Sequence, residues 1–382
     1  MKTKLLSLML SAGLVLSLAT QAHAIEDPLK KPNNSFGIHI LFDTELEQAA
    51  RLVNSNGGEW GYVVIPIQRG DRDIVKWQQF MDKAKELKVI PIVRLATENY
   101  YFNTKVWRTP TEQDILDFVN FLDSLAWPVK NRYIIVFNEV NRDDEWGGSA
   151  NPEEYAKLLS YTTSLFKSRS DDYFIISAGL DNASINGNGA TNQFDFVKGM
   201  HRGVPGIFNQ IDGISSHSYP NPGFSSPPTA SHQMSIASFR FERSLVESLS
   251  TKKLPIFITE TGWSSDVISD DLRARYYQVA FSDVWSDPGI VTVAPFLLSA
   301  GGGPFEQFTF LKGDGSFTKQ YEVFQSFKKT KGMPTIIQGV LGSDVRETER
   351  ELPIKSFTSR DEPKKVSRTE AALFTFDFLF AL

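Results

Sequence analysis

Tyr133-Ile134-Ile135-Val136-Phe137-Asn138-Glu139 and Pro255-Ile256-Phe257-Ile258-Thr259-Glu260 each run through β-branched and aromatic residues and end on a glutamate. An unbroken apolar run of this length suits a strand buried on both faces, and such strands belong to parallel sheets covered by helices. Outward from these two, Phe36 to Leu41, Gly61 to Ile67, Val89 to Leu95, Tyr173 to Ala178, Gly213 to His217 and Val291 to Leu297 read the same way. With Arg132 to Phe137 and Ile256 to Thr259 they make eight strands, the number that closes a barrel.

The segments between carry helix signals. Thr109-Pro110-Thr111-Glu112 predicts a helix with Thr109 as its N-cap, followed by Ile115, Leu116, Phe118, Val119 and Leu122 at helical spacing. Asn151-Pro152-Glu153-Glu154 repeats the device, and further helices are expected over 73–87, 236–249, 270–285 and 319–329. The fold class is therefore α/β, a (β/α)8 TIM barrel in a single domain over 25–335. Two loops stand outside the rhythm, the Asn/Gly-rich 180–193 and the Pro/Ser-rich 218–231. Asp181, Asn182, Asn186 and Asn188 loosely evoke a calcium loop but lack its spacing and its terminal Glu.

The chain has 382 residues, 41% of them hydrophobic, with 29 Phe, enough for a large core. Its formal net charge is -5, so no basic excess points to nucleic acid or an anionic membrane surface. Cys is absent, which removes disulfides, thiol nucleophiles, Cys-ligated zinc and iron–sulfur clusters. Lys2 and Lys4, the apolar run from Leu5 to Ala19 and Ala22-His23-Ala24 have the form of a secretory signal peptide over 1–24. Cleavage after Ala24 would leave the protein secreted, periplasmic or extracellular; an uncleaved anchor is the alternative, although the run is shorter than the ~20 residues that span a bilayer. Residues 336–382 read as a charged, disordered tail with an apolar end from Ala371 to Leu382, which suits an interfacial patch, a docking peptide or a frayed reading frame. Membrane contact through that end stays open, and a monomer is expected.

Glu139 and Glu260 fall at the carboxyl ends of strands four and seven, 121 residues apart. In a barrel that end is the catalytic face, and strands four and seven oppose each other across it. A single Glu there suits a salt bridge or a helix cap, but a facing pair suits glycosidic bond cleavage. That reaction needs one protonated carboxyl to assist the leaving oxygen and one ionised carboxylate at the anomeric carbon.

Asn138-Glu139 after strand four and Thr259-Glu260-Thr261-Gly262-Trp263 at strand seven resemble the signatures of the clan A retaining glycoside hydrolases, over about residues 34 to 330. The resemblance implies that Glu139 is the acid/base, Glu260 the nucleophile and Asn138 the residue bonded to the sugar 2-hydroxyl. His217-Ser218-Tyr219 resembles the clan's His-x-Tyr, in which the Tyr orients the nucleophile and the His contacts sugar. Arg94, closing strand three, would hold Glu260 ionised as a strand-end Arg does in cellulase-like families, or else form an ordinary rim salt bridge.

Among the aromatics, Trp263 and Trp146 are the first candidates for sugar platforms, with Tyr100, Tyr101 and Trp107 behind them; buried loop anchors are the alternative for each. His39, inside strand one, reads as a core or rim histidine. Pro295 to Gly301, at strand eight, carries no Trp where many clan members have one. The implied function is a secreted retaining glycoside hydrolase that cleaves O-glycosidic bonds of a polysaccharide or glycoside by a two-Glu double displacement, with no cofactor and no metal. A catalytically silent carbohydrate-binding barrel on the cell surface is the alternative. A metal-dependent barrel is disfavoured, since only four His follow Ala24 and none has a ligand-like spacing.

Overall fold

The computed structural model describes residues 25–97, 99–100, 103–300, 303 and 305–337. The expected leader, Tyr101 and all of the expected tail but Ile336 and Ile337 lie outside these residues. Eight parallel strands form at the eight expected places: β1 Gly37–His39, β2 Gly61–Gln68, β3 Val89–Ala96, β4 Arg132–Val136, β5 Tyr173–Ser177, β6 Ile214–His217, β7 Ile256–Glu260 and β8 Ile290–Val293. Helices α1 Leu46–Val53, α2 Ile74–Glu86, α3 Glu112–Asp123, α4 Pro152–Arg169, α5 Gln193–Gly203, α6 Ile207–Gln210, α7 Ser238–Leu249, α8 Asp270–Val279 and α9 Lys319–Ser326 lie between and after them. Asn99–Tyr100 and Asn103–Trp107 add a short antiparallel pair beyond β3.

One continuous ring of eight strands was expected, whereas the ladders form two sheets, β1 to β5 and β6 to β8. The sheets meet at both edges through isolated parallel bridges, Phe36 to Val293 on one side and Ile176 to Gly213 and Asp181 to His217 on the other. The reason is length, since β1 has 3 residues and β6 and β8 have 4 each, which leaves little ladder at the seams. Backbone bonds still cross them: the His39 N–H donates to Pro295 O (3.1 Å) and the Leu298 N–H to His39 O (2.9 Å).

Side chains that alternate along the strands enter two separate clusters, as the period of two requires. Val63, Ile65, Val93, Ile134, Val136, Ile175 and Ile258 pack with the helices. Tyr62, Val64, Ile90, Ile92, Tyr133, Ile135, Phe174, Ile176 and Phe257 pack with one another between the sheets. There the Tyr133, Phe174 and Phe257 rings meet at 4.9 to 5.7 Å, so β7 of one sheet is locked to β4 and β5 of the other. Full burial of side chains this large contributes on the order of 2 kcal/mol each.

The amino-terminal ends of the strands are covered by residues 25–33 and 332–335, where the Glu26 backbone and the Asn131 amide exchange two hydrogen bonds. A cavity of about 30 Å³ remains there, lined by Glu26, Trp60, Tyr62, Asn131, Tyr133 and Met333 among others. That end is plugged, and a site must lie at the other.

The start of α3 corrects one expectation. Thr111, not Thr109, is the N-cap, and it forms a capping box with Asp114. Pro110 precedes the cap because Asp114 anchors the helix start: its carboxylate takes two bonds from Arg108 (2.6 and 3.0 Å), pairs with Arg69 and accepts from Thr111 N (2.8 Å). Burial pushes the Asp114 pKa up, but the Arg108 and Thr111 bonds outweigh it and bring it down to about 2. A carboxyl held below its unfolded value stabilises the fold above that value, and the contribution disappears as pH falls through the folded one. With both arginines partly exposed, the contribution is roughly 1–2 kcal/mol. Asp114→Asn is expected to lower stability by about that amount near neutral pH and by progressively less toward pH 2, as measured by urea unfolding across pH.

Candidate active site

Backbone irregularities at the strand ends aim the site. Past β4, Phe137 and Glu139 take positive φ values of 71° and 33°, rare for residues with a side chain. They break the strand's alternation, sending Phe137 outward against Trp146 while Glu139 turns into the mouth. In β7 the register with β6 slips by one: Ser216 pairs with Ile258, but His217 pairs with Glu260. Thr259 is the extra residue, so the bulge sets Glu260 beside His217, a common use of bulges next to functional sites.

The two carboxylates share one imidazole. His217 Nδ1 lies 3.0 Å from Glu139 Oε1 and 3.6 Å from Glu260 Oε2. The hydroxyl of Tyr219 donates to Glu260 Oε2 at 3.1 Å. Arg94 Nη1 stands 3.8 Å from Glu260 Oε1, and Arg142 Nη1 lies 3.4 Å from Glu139 Oε2 while its other nitrogens bind Asp144. The carboxylates are 13% and 9% exposed, so both are largely shielded from water. Gly179 makes room for this arrangement, since a Cβ on it would sit 2.1 Å from His217 Cδ2.

Burial opposes ionisation of both glutamates. At Glu139 the His217 hydrogen bond and the Arg142 charge outweigh it, and the pKa falls below the usual carboxylate value. At Glu260 burial, reinforced by the Glu139 charge, outweighs His217 and Arg94, and the pKa rises. Against its own burial, the His217 imidazole is pushed up by both carboxylates. One atom each from Glu139, His217 and Glu260 lies within 4.8 Å of the other two, a grouping that would admit a cation. Arg94 and Arg142 bring two positive charges to these carboxylates.

Asn138 is beside the pair. Its amide donates to Glu145 Oε1 (3.2 Å), and its Oδ1 is buried without a partner. Trp146 and Trp263 are corrections. Trp146 is buried against Phe137 and Tyr155 with its indole N–H on Glu154, and Trp263 is buried among Tyr276, Tyr277 and Trp285 with its N–H on Ser226 O. Neither offers a face to a sugar, because both turn behind the strands as anchors. Trp107 is half-buried, and nothing is described of the Tyr100 side chain. Asp181 accepts from Ala183 and Ser184, and Asn182 donates to Tyr219 O, so the calcium-like loop spends its side chains on itself and on the site wall.

The sequence reading gave no site role to three residues, one of which, His39, it placed in the core or rim. His39 lies fully buried 3.6 Å from Glu260. Glu242 of α7 is buried beneath β6 and accepts from Ser216; burial lifts it to about 7 despite that bond. Its signal was its place between Phe239 and Val246, on the helix's apolar stripe. Glu145 is lifted to about 8 by burial first and by the Glu139 charge second.

No protein-family model matches the sequence, and no curated protein matches it. Solved structures do. A family 39 glycoside hydrolase from Bacteroides cellulosilyticus WH2 matches at a TM-score of 0.55 and 17% identity, over 79% of this chain and 64% of that one. A GH5_18 enzyme from Streptomyces cattleya, solved as an E153A variant in complex with Manb1-4GlcNAc, gives 0.54 and 14% over 77% and 79%. A glucosidase from Croceicoccus marinus gives 0.55 and 11% over 79% and 68%. The chain thus spans about two thirds of the family 39 enzyme's length and shares a fold with glycoside hydrolases.

Glu242 and Glu145 bind a proton more tightly folded than unfolded, so their contribution is full below about pH 4.5 and is lost as pH rises through about 7 for Glu242 and about 8 for Glu145. The melting temperature is expected to fall by a few degrees across that window. Glu145→Gln and Glu242→Gln should each remove part of the slope, as followed by thermal melts at constant ionic strength.

Proposed function

We propose that the protein is a secreted retaining glycoside hydrolase whose catalytic domain, a (β/α)8 barrel, occupies 25–335. The observation that carries the reading is the facing pair, with Glu139 and Glu260 oxygens within 4.8 Å of each other. Retaining enzymes hold their carboxyl groups ~5–5.5 Å apart and inverting ones ~6.5–9.5 Å, so the gap supports retention. Glu139 gives its proton to the glycosidic oxygen as the bond from the anomeric carbon breaks, and a Glu260 oxygen bonds that carbon. Glu139 then takes a proton from water, whose oxygen displaces Glu260 from the sugar. Asn138, with its free Oδ1, takes the 2-hydroxyl, Tyr219 and Arg94 steady the nucleophile, and His217 contacts both carboxylates.

This chemistry requires a proton on Glu139 and charge on Glu260, whereas the surroundings lower the Glu139 pKa and raise that of Glu260. His217 supplies the reversal: its Nδ1 is only 0.6 Å farther from Glu260 than from Glu139 (3.6 against 3.0 Å), so a small ring movement transfers its support. A leaving-group oxygen that takes the place of the His217 bond on Glu139 would drive that movement. Those two shifts also favour the second reading, a catalytically silent barrel.

The test is mass spectrometry after incubation with 2-deoxy-2-fluoro glycosides, beginning with manno and gluco probes because neighbours are named as a mannosidase and a glucosidase. An adduct on the peptide containing Glu260 is the expected result. Glu260→Ala should abolish both adduct and turnover, and Glu139→Ala should cut kcat by roughly 10²–10⁴-fold on poor leaving groups and far less on activated aryl glycosides. Absence of any adduct, together with no hydrolysis of a broad polysaccharide panel, would favour the silent barrel.

A further inference from the structure

His39 closes β1, and outside the carboxylate cluster its ring nitrogens reach, among the described residues, only the backbone of Ile40. Its side chain is fully buried, and neither Nδ1 nor Nε2 has a partner at full hydrogen-bond geometry. Leaving a buried polar atom unpaired costs on the order of 1–3 kcal/mol, so an imidazole is an expensive way to fill space there. The ring is also firmly placed. Its backbone is bonded on both sides to the strand-eight segment, at Pro295 and Leu298, and the ring packs edge-on against Phe296 at 5.2 Å. From that position Nε2 faces Glu260 Oε1 at 3.6 Å.

The charged and titratable groups around Glu260 come from every strand end that faces it. Arg94 and His39 lie on Oε1, His217 and Tyr219 on Oε2, and Glu139 stands across the mouth. Oε2 has a hydrogen bond from Tyr219, whereas at Oε1 the Arg94 contact is long at 3.8 Å. Oε1 is therefore the under-supported oxygen, and His39, with no well-formed hydrogen bond of its own, is the group aimed at it. With no exposed surface, His39 does not meet a substrate directly, so its action has to pass through Glu260.

We propose that His39 is a positioning residue for Glu260: its neutral imidazole, protonated at Nε2, closes onto Oε1 as a hydrogen-bond donor when Glu260 ionises and holds that carboxylate in place. Neutrality matters. Burial, together with the charges of Arg94 and His217, holds the His39 pKa well below the ordinary histidine value, so the ring donates a hydrogen bond without adding a third positive charge beside the two cations. The role as support for a nucleophile rests on the glycosidase reading, but the contact itself does not.

The test follows Glu260 itself and needs no turnover. Carbon-13 labelling of glutamate carboxyls, with the Glu260 signal assigned by its loss in Glu260→Gln, gives its titration in the wild type, in His39→Leu and in His39→Gln. His39→Leu is expected to raise the Glu260 midpoint by about one pH unit, a tenfold change in its ionisation constant. His39→Gln, which keeps an uncharged donor, should hold it near the wild-type value. Nitrogen-15 imidazole spectra of the wild type should show the proton on Nε2.

A folded His39→Leu with an unchanged Glu260 titration would overturn the proposal. So would a wild-type proton on Nδ1 with Nε2 bare toward Glu260, and that measurement stands even if the Leu variant fails to fold. If the fluoro-sugar probes trap nothing while these shifts appear, the glycosidase reading fails and the contact survives. If the probes trap Glu260 and the shifts are absent, only this inference fails.

Discussion

One imidazole between two carboxylates is the constraint on which the rest of the site depends. At the separation seen here, and with an effective dielectric constant near 20, two unscreened carboxylates repel by roughly 3 kcal/mol. Burial adds a further penalty for each charge. The fold offsets both with donors on every side: His217 on both glutamates, Arg142 on Glu139, Arg94 and Tyr219 on Glu260. No single donor is close to all four carboxylate oxygens, and His217 is the group through which the two glutamates feel each other most directly. The charge on one therefore depends on where that ring sits.

Holding this cluster requires breaks in regular structure, and the breaks fall where the cluster needs them. The strand alternation of β4 would have turned Phe137 inward, and the two positive φ angles prevent it. The alternation of β7 would have set Thr259 beside His217, and the bulge substitutes Glu260. Gly179 leaves the volume that the His217 ring fills. Each departure is locally unfavourable, and the rigid interior beneath, with the rings of Tyr133, Phe174 and Phe257 in mutual contact, gives the strand ends a fixed base from which to depart.

The strands were legible because each is a short, nearly unbroken apolar run, a signal that does not depend on the neighbouring strands. The two glutamates were legible for the same reason, since each directly follows such a run. The aromatic side chains were not. Trp146 and Trp263 follow the glutamates closely in sequence, but their rings turn behind the strands, and closeness along the chain does not fix direction once the backbone leaves the period of two. His39 was passed over because a histidine flanked by Ile38 and Ile40 looks like core, and its lack of a well-formed hydrogen bond exists only in three dimensions. Glu242 was hidden by its helix, where one carboxyl on an apolar stripe has no meaning until Ser216 is seen above it. The helix start at Thr111 went wrong by two residues because two threonines flank Pro110, and only the partners of Asp114 distinguish them.

These misses share a cause that bears on the site itself. The groups that touch the two carboxylates come from β1, β3, the β4 loop, β6 and β7, and no stretch of sequence contains more than a few of them. What the chain encodes locally is a set of strands, each with a polar residue at or near its carboxyl end: His39, Arg94, Asn138 with Glu139, His217 and Glu260. The parallel arrangement brings all of those residues to one end of the sheets, while residues 25–33 and 332–335 cover the other. A polar residue at the end of one buried strand is ordinary, but five such ends gathered on one face put buried charge and donors in a place where neither packing nor solvent can satisfy them. They must satisfy one another, and a group with no well-formed hydrogen bond in that company, as His39 is, lies where the cluster has room for one more.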